Sequence, residues 1–193
     1  MKNLVVIDVD NVLADSIRTW CKLVKERLAV DIKFENITSH KLVGCVPFTP
    51  AQIFDLQDNV WGNWPQLPTT EEGIPHILEQ LQGMDYRINL ATSGPVRHVR
   101  YVRKWLARNR IPYDKFENVK NKSNLSADIL VDDAPEEIRA FASTKRSAFL
   151  YDRPWNRALA NGRFLRITKL SQLIQHLHQP SNQTRLLAAT QVR

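Results

Sequence analysis

The chain has 193 residues, 43% hydrophobic and 24% charged, which suits one soluble core domain with room for a sizeable insertion. No apolar run nears the roughly eighteen residues that span a bilayer, the first one ends at Asp8, too early for a secretory leader, and two cysteines make no disulfide framework, so a cytoplasmic setting away from membranes is expected. Lysine and arginine outnumber aspartate and glutamate by 27 to 20, a net charge of +7 that favours anionic partners without choosing among nucleotides, phosphate esters and nucleic acid.

The first predicted element lies in LVVIDVDNVLADS, residues 4–16. Its continuous apolar run, Leu4 to Ile7, reads as a strand buried on both faces. Asp15 and Ser16 stand where they would cap a helix in which Ile17, Trp20, Cys21, Val24 and Leu28 recur at helical spacing. From Val30 to Pro68 the pattern is irregular, with prolines at 47, 50, 65 and 68 and one predicted helix over 51–60, the mark of a small, partly helical insertion. A regular alternation follows. A helix over 71–84 turns Ile74, Ile77, Leu78 and Leu81 to one side, a strand covers 87–91, and a helix over 96–109 turns Val99, Val102, Trp105 and Leu106 inward. A short strand near 116–119, a strong apolar strand over 129–131, a helix over 135–142, a strand over 148–151 and a helix over 170–177 complete the series. Repeated strand and helix imply an α/β, Rossmann-like parallel sheet with helices on both faces. The tail 180–193 lacks caps and an apolar face and is expected to be loosely held.

Function in such a sheet sits at the carboxyl ends of the strands. Asp8 and Asp10 follow the first strand, Thr92, Ser93 and Gly94 the second, and Asp132 and Asp133 the apolar strand over 129–131, with Lys122 in the polar loop just ahead of it. Four carboxylates on one rim repel each other unless a cation joins them, and hard oxygen ligands without converging His or Cys point to Mg²⁺. With Mg²⁺ and the lysine in place, an aspartate can attack an anionic phosphate, and a second carboxylate can pass the proton. A hydroxyl with nearby N–H groups can hold the phosphoryl oxygens.

DVDNVLADS resembles the first motif of the haloacid dehalogenase-like superfamily, and INLATSGP and NKSNLSADILVDDAPEEI follow in that superfamily's order. The spacing from Lys122 to Asp132 and the phrase SADILVDD are similar to its 5′(3′)-deoxyribonucleotidases, over about residues 4–150. The resemblance implies that Asp8 is nucleophile and metal ligand, and that Asp10 is general acid/base and ligates through its backbone carbonyl. It further implies that Thr92 and Ser93 bind the phosphoryl group, that Lys122 stabilises its charge, and that Asp133 ligates Mg²⁺ with Asp132 beside it. It divides the chain into a core, 1–16 and 69–179, and a mostly helical cap, 17–68, inserted after the first strand. Two departures stand out: Asn11 replaces the usual glycine or threonine, and Ser16 stands where these enzymes place an aromatic near the base. Cap aromatics, Phe54, Trp61 and Trp64 first among them and Phe48 besides, are candidates to supply that contact.

The expected activity is therefore a Mg²⁺-dependent phosphomonoesterase acting on nucleoside monophosphates, deoxyribonucleotides first, through an aspartyl-phosphate. Competing readings are a phosphatase of nucleic-acid ends and a non-catalytic nucleic-acid-binding module on the same fold. Arg97, Arg100, Arg103 and Lys104 are read first as a solvated basic face and second as a nucleic-acid track. Trp155, Asn156 and Arg157 follow a strand and are read first as structural and second as bordering the site; Asp15 is read as a helix cap or a group beside the ligands rather than as a ligand; and the five histidines are given no role.

Overall fold

The computed structural model describes residues 2–160 and 162–178. The tail expected to be loose, 180–193, lies outside them. Six parallel strands form the central sheet: β1 (Asn3–Asp8), β2 (Tyr86–Thr92), β3 (Lys115–Asn118), β4 (Ile129–Asp132), β5 (Ser147–Tyr151) and β6 (Leu165–Ile167). Their order is β3-β2-β1-β4-β5-β6, so β1 lies between β2 and β4, where the winding reverses. Such a reversal leaves a crevice outside the carboxyl ends of the middle strands. The register carries the first two motifs to the same level: Asp8 lies opposite Ala91 on β2, and Ile7 opposite Val131 on β4.

Alternation along β1 explains the two-sided core. Val5 and Ile7 enter a large apolar cluster with α1 (Ser16–Leu28), α3 (Ile74–Gly83), α4 (Val99–Arg108) and α6 (Ser171–His178). Val6 enters a smaller cluster on the other face, where Ile138 and Phe141 of α5 (Pro135–Ser143) meet Leu130 and Leu150. The remaining helix, α2 (Pro50–Gly62), packs on α1 and belongs to the insertion. Thr49 and Gln52 form a reciprocal capping box at its start. The insertion leaves and rejoins the core at one place: Asp15 N–H donates to the Pro68 carbonyl at 3.0 Å and Thr70 N–H to the Leu13 carbonyl at 2.9 Å. No helix among the described residues is long and apolar enough to cross a membrane.

Three details differ from the sequence reading. β6 was not expected, because LRI is three residues long, half exposed and without an apolar run; its pairing to β5 defines it. The helix expected over 71–84 begins at Ile74, since Gly73 adopts φ +75 and Glu71 instead accepts hydrogen bonds from the Tyr151 hydroxyl and the Leu170 N–H. The helix expected over 96–109 opens with a 3₁₀ turn, Val96–His98, before α4.

Candidate active site

The turn after β1 decides where Asp8 and Asp10 point. Asn11 sits at φ +60, a left-handed conformation that asparagine tolerates better than most residues. Its side-chain oxygen accepts the Ile17 N–H at 2.9 Å and the Ser16 hydroxyl at 3.0 Å. Asn11 is therefore the side chain that caps α1. Asp15, expected in that role, makes no capping bond and instead pairs with Arg18 at 3.2 Å. On the opposite side Arg153 donates to the Asn11 carbonyl at 2.8 Å.

Asp8, Asp132 and Asp133 bring carboxylate oxygens within 4.8 Å of one another, all three buried. Lys122, which opens a 3₁₀ turn ahead of β4, is only 3% exposed and lies 2.8 Å from Asp8 Oδ1 and 2.9 Å from Asp132 Oδ2. One ammonium thus faces three carboxyls. Burial raises the Asp8 carboxyl well above its usual range; Lys122 opposes this, while Asp132, Asp133 and Asp10 add to it. Burial and then the charge of Asp132 push Asp133 up to about 7. Burial works against the Lys122 proton, but Asp132 and Asp8 outweigh it and hold the lysine charged. A buried, oxygen-only set short of positive charge fits a hard divalent cation.

Above the acids lies a cavity of about 520 Å³, a size typical of small-molecule sites. Asp8, Asp10, Ser93, Lys122 and Asp133 line it from the sheet, and Ser16, Trp20, His40 and Trp61 from α1, α2 and the loop between them. Thr92 donates its hydroxyl to Asp10 Oδ2 at 3.1 Å and accepts the Gly94 N–H at 3.2 Å. Trp61 donates its indole N–H to Asp10 Oδ1 at 2.9 Å.

Residues 2–178 match the family described as 5′ nucleotidase, deoxy (pyrimidine), cytosolic type C protein (NT5C). The chain belongs to this family. A protein of Bacillus subtilis described as a 5′(3′)-deoxyribonucleotidase is 25% identical over 191 residues, covering 92% of this chain and 99% of the relative. A Staphylococcus epidermidis protein provisionally given the same description is 28% identical over 146 residues, 71% of this chain and 77% of the relative. A haloacid dehalogenase-like hydrolase of Streptococcus pneumoniae shares the fold, with a TM-score of 0.62 at 12% identity over 92% of this chain and 99% of that one. This nucleotidase-family chain is accordingly a phosphoric monoester hydrolase with a haloacid dehalogenase-like fold.

Of the four cap aromatics singled out in this nucleotidase, Trp61 lines the cavity and Phe48, Phe54 and Trp64 do not; Phe48 meets Trp20 edge to face. Phe54 lies two turns earlier on the same helix, about 10 Å along the axis, where the Arg97 guanidinium covers its ring at 4.4 Å. Trp64 follows the end of α2, in a 3₁₀ turn, and packs against the main core. Three of the four cations of the basic run have contacts within the chain: Arg97 forks onto Asp58 of α2, Arg100 lies over Tyr101, and Arg103 lies over Phe116.

Trp155 and Asn156, read first as structural, border the site and support the acids directly. Trp155 donates its indole N–H to Asp133 Oδ2 at 3.0 Å, and the buried Asn156 donates to the Asp133 and Tyr151 carbonyls at 2.9 and 2.8 Å. Their place after β5, next to β4 in the sheet, is the signal that points to them. Arg157 instead pairs with Asp152, 3.3 Å away. His98 Nε2 lies 2.5 Å from Asp58 Oδ1, joining the end of β2 to α2, and His40 lies 3.2 Å from Glu136. No spacing rule in the sequence links either pair.

Proposed function

We propose that the chain is a Mg²⁺-dependent nucleotidase that hydrolyses nucleoside monophosphates, deoxyribonucleotides first, through an aspartyl-phosphate on Asp8. The observation that carries this reading is the buried triad of Asp8, Asp132 and Asp133 with Lys122 as its one paired cation, on the floor of a cavity roofed by α1 and α2. Asp8, Asp133 and the Asp10 backbone carbonyl are the proposed metal ligands. Asp132 stands behind them, since its oxygens accept the Ala134 N–H at 2.8 Å and face Lys122. Bound Mg²⁺ would neutralise charge between the carboxylates and the incoming phosphate.

The chain's own groups then divide the work. Ser93 and Lys122, which line the cavity, hold the phosphoryl oxygens, while Thr92, given that part by the sequence, spends its hydroxyl on Asp10. An Asp8 oxygen forms a bond to phosphorus as the ester P–O bond breaks, and Asp10 gives its proton to the departing oxygen. Asp10 next takes a proton from water as that water attacks the aspartyl-phosphate, which restores Asp8 and frees inorganic phosphate. Residues 17–68 act as a cap over the core formed by 1–16 and 69–179, and the adjacent crossing points at 13–15 and 68–70 support that division. Trp20 and Trp61 are the cap aromatics that line the cavity. Free thiols at Cys21 and Cys45 suit a reducing cytoplasm.

Phosphate release from a panel of mononucleotides tests the reading. Turnover should disappear in chelator and return with added Mg²⁺, while Ca²⁺, with its larger and looser shell, should substitute poorly. Full activity in chelator would overturn the metal assignment.

A further inference from the structure

Asp10 is gripped from two elements. Thr92 reaches it from β2 and Trp61 from α2, so one of its two donors belongs to the insertion and the other to the core. Trp61 has little freedom to leave. It is 4% exposed, and its ring meets Trp105 edge to face with centroids 6.3 Å apart. Trp105 is itself fixed by donating its N–H to the Leu67 carbonyl at 2.7 Å. Asp58, nearly one turn before Trp61 on α2, is held by Arg97 at 2.8 Å and His98 at 2.5 Å. The indole therefore stays on Asp10 for as long as α2 is docked.

We propose that Trp61 is a positioning residue that holds the Asp10 carboxyl in one orientation at the strand ends, so that proton delivery to the leaving group depends on α2 being docked there. This rests on the acid/base role of Asp10 given above. The indole N–H donates to Oδ1 and the Thr92 hydroxyl to Oδ2, so the plane of the carboxyl is fixed from both sides. In the forward step the carboxyl O–H bond breaks and the departing alkoxide gains the proton. The carboxylate left behind is met by both donors. With α2 undocked, Oδ1 loses its donor and the carboxyl is free to rotate.

The test uses Trp61→Phe, which keeps a ring against Trp105 and removes the N–H, and three esters. A nucleoside 5′-monophosphate and 2-deoxyribose 5-phosphate share an alkoxide leaving group that needs a proton, and the second has no base. 4-Nitrophenyl phosphate has a leaving group that departs without one. The readout is kcat/KM, which covers events up to loss of the leaving group. Both alkyl esters should fall by at least about tenfold, a part of the 10²–10⁴ that a positioned general acid contributes, while the aryl ester changes little. Trp61→His, which retains a ring N–H, should recover part of the alkyl-ester rate. A loss confined to the nucleotide would make Trp61 a base contact and overturn the inference. An equal loss on all three esters, unrelieved by histidine, would make its role structural and overturn it too. If the unaltered protein releases phosphate from none of the three, the nucleotidase reading itself fails, a result distinct from either.

Discussion

Asp8 and Asn11, three residues apart in one turn, carry separate burdens. Asp8→Asn keeps the volume and the Val9 N–H contact but loses the attacking oxygen. Phosphate release should fall at least about a thousandfold with the fold intact by circular dichroism; near-normal release would remove Asp8 from the nucleophile's role. Asn11 bears on stability. Asn11→Gly keeps the left-handed turn and loses the side-chain hydrogen bonds to Ile17 and Ser16, which should cost about 1 kcal/mol in urea unfolding. Asn11→Ala loses the cap and also strains the turn at φ +60, adding about 1 kcal/mol. Equal losses in the two variants would show that the backbone conformation is not what asparagine supplies there. The sequence displays Asn11 only as a departure from a familiar motif. Its capping role is invisible there because it reaches Ile17, six residues on, across a turn rather than within a helix.

At the scale of elements, α2 is the part whose role the pattern left open. Its helical stripe was readable, but which core groups that stripe meets was not. Asp58 is the clearest case. Burial pushes its carboxyl up, yet the hydrogen bonds and charges of Arg97 and His98 outweigh this and hold it below its usual value of 3.8. A carboxyl lowered on folding stabilises the folded state above that value and stops doing so as pH falls through the lower folded value. Asp58→Asn should therefore lower stability at pH 7 by about 1 kcal/mol or less, since the pair is partly exposed. The difference between the two proteins should shrink in acid, below pH 3.8, as the carboxylate takes up its proton. Thermal unfolding at both pH values checks this, and a difference that grows in acid would contradict the clamp. The edge strand β6 is the opposite case: three residues too short to show a period, made a strand by hydrogen bonds to β5.

For the molecule as a whole, the roofed cavity bears on substrate size. A chamber of about 520 Å³ beneath α1 and α2 has the volume for a mononucleotide. kcat/KM should be higher on mononucleotides than on 5′- or 3′-phosphorylated oligonucleotides, with only modest dependence on salt. An enzyme of nucleic-acid ends would show the reverse order and a steep loss of affinity as salt rises. The pairing of Arg97 with Asp58 takes one cation of the basic run out of any nucleic-acid track.

The alternation of apolar runs and amphipathic stretches determined the α/β sheet, because burial on two faces of a strand and one stripe of a helix leaves periods that survive in one dimension. The same alternation put Asp8, Asp10, Thr92, Lys122, Asp132 and Asp133 at strand ends or beside them, so the core acids were legible before any coordinate. What the sequence left open was which of the surrounding residues touch them. Trp61 reaches Asp10 across 51 positions, Trp155 reaches Asp133 across 22, and His98 reaches Asp58 across 40. Hydrogen bonds of that kind depend on angles and distances of a few ångströms between elements far apart in the chain. Such geometry exists only once the strands are ordered and α2 is docked, so the tertiary structure alone decided it.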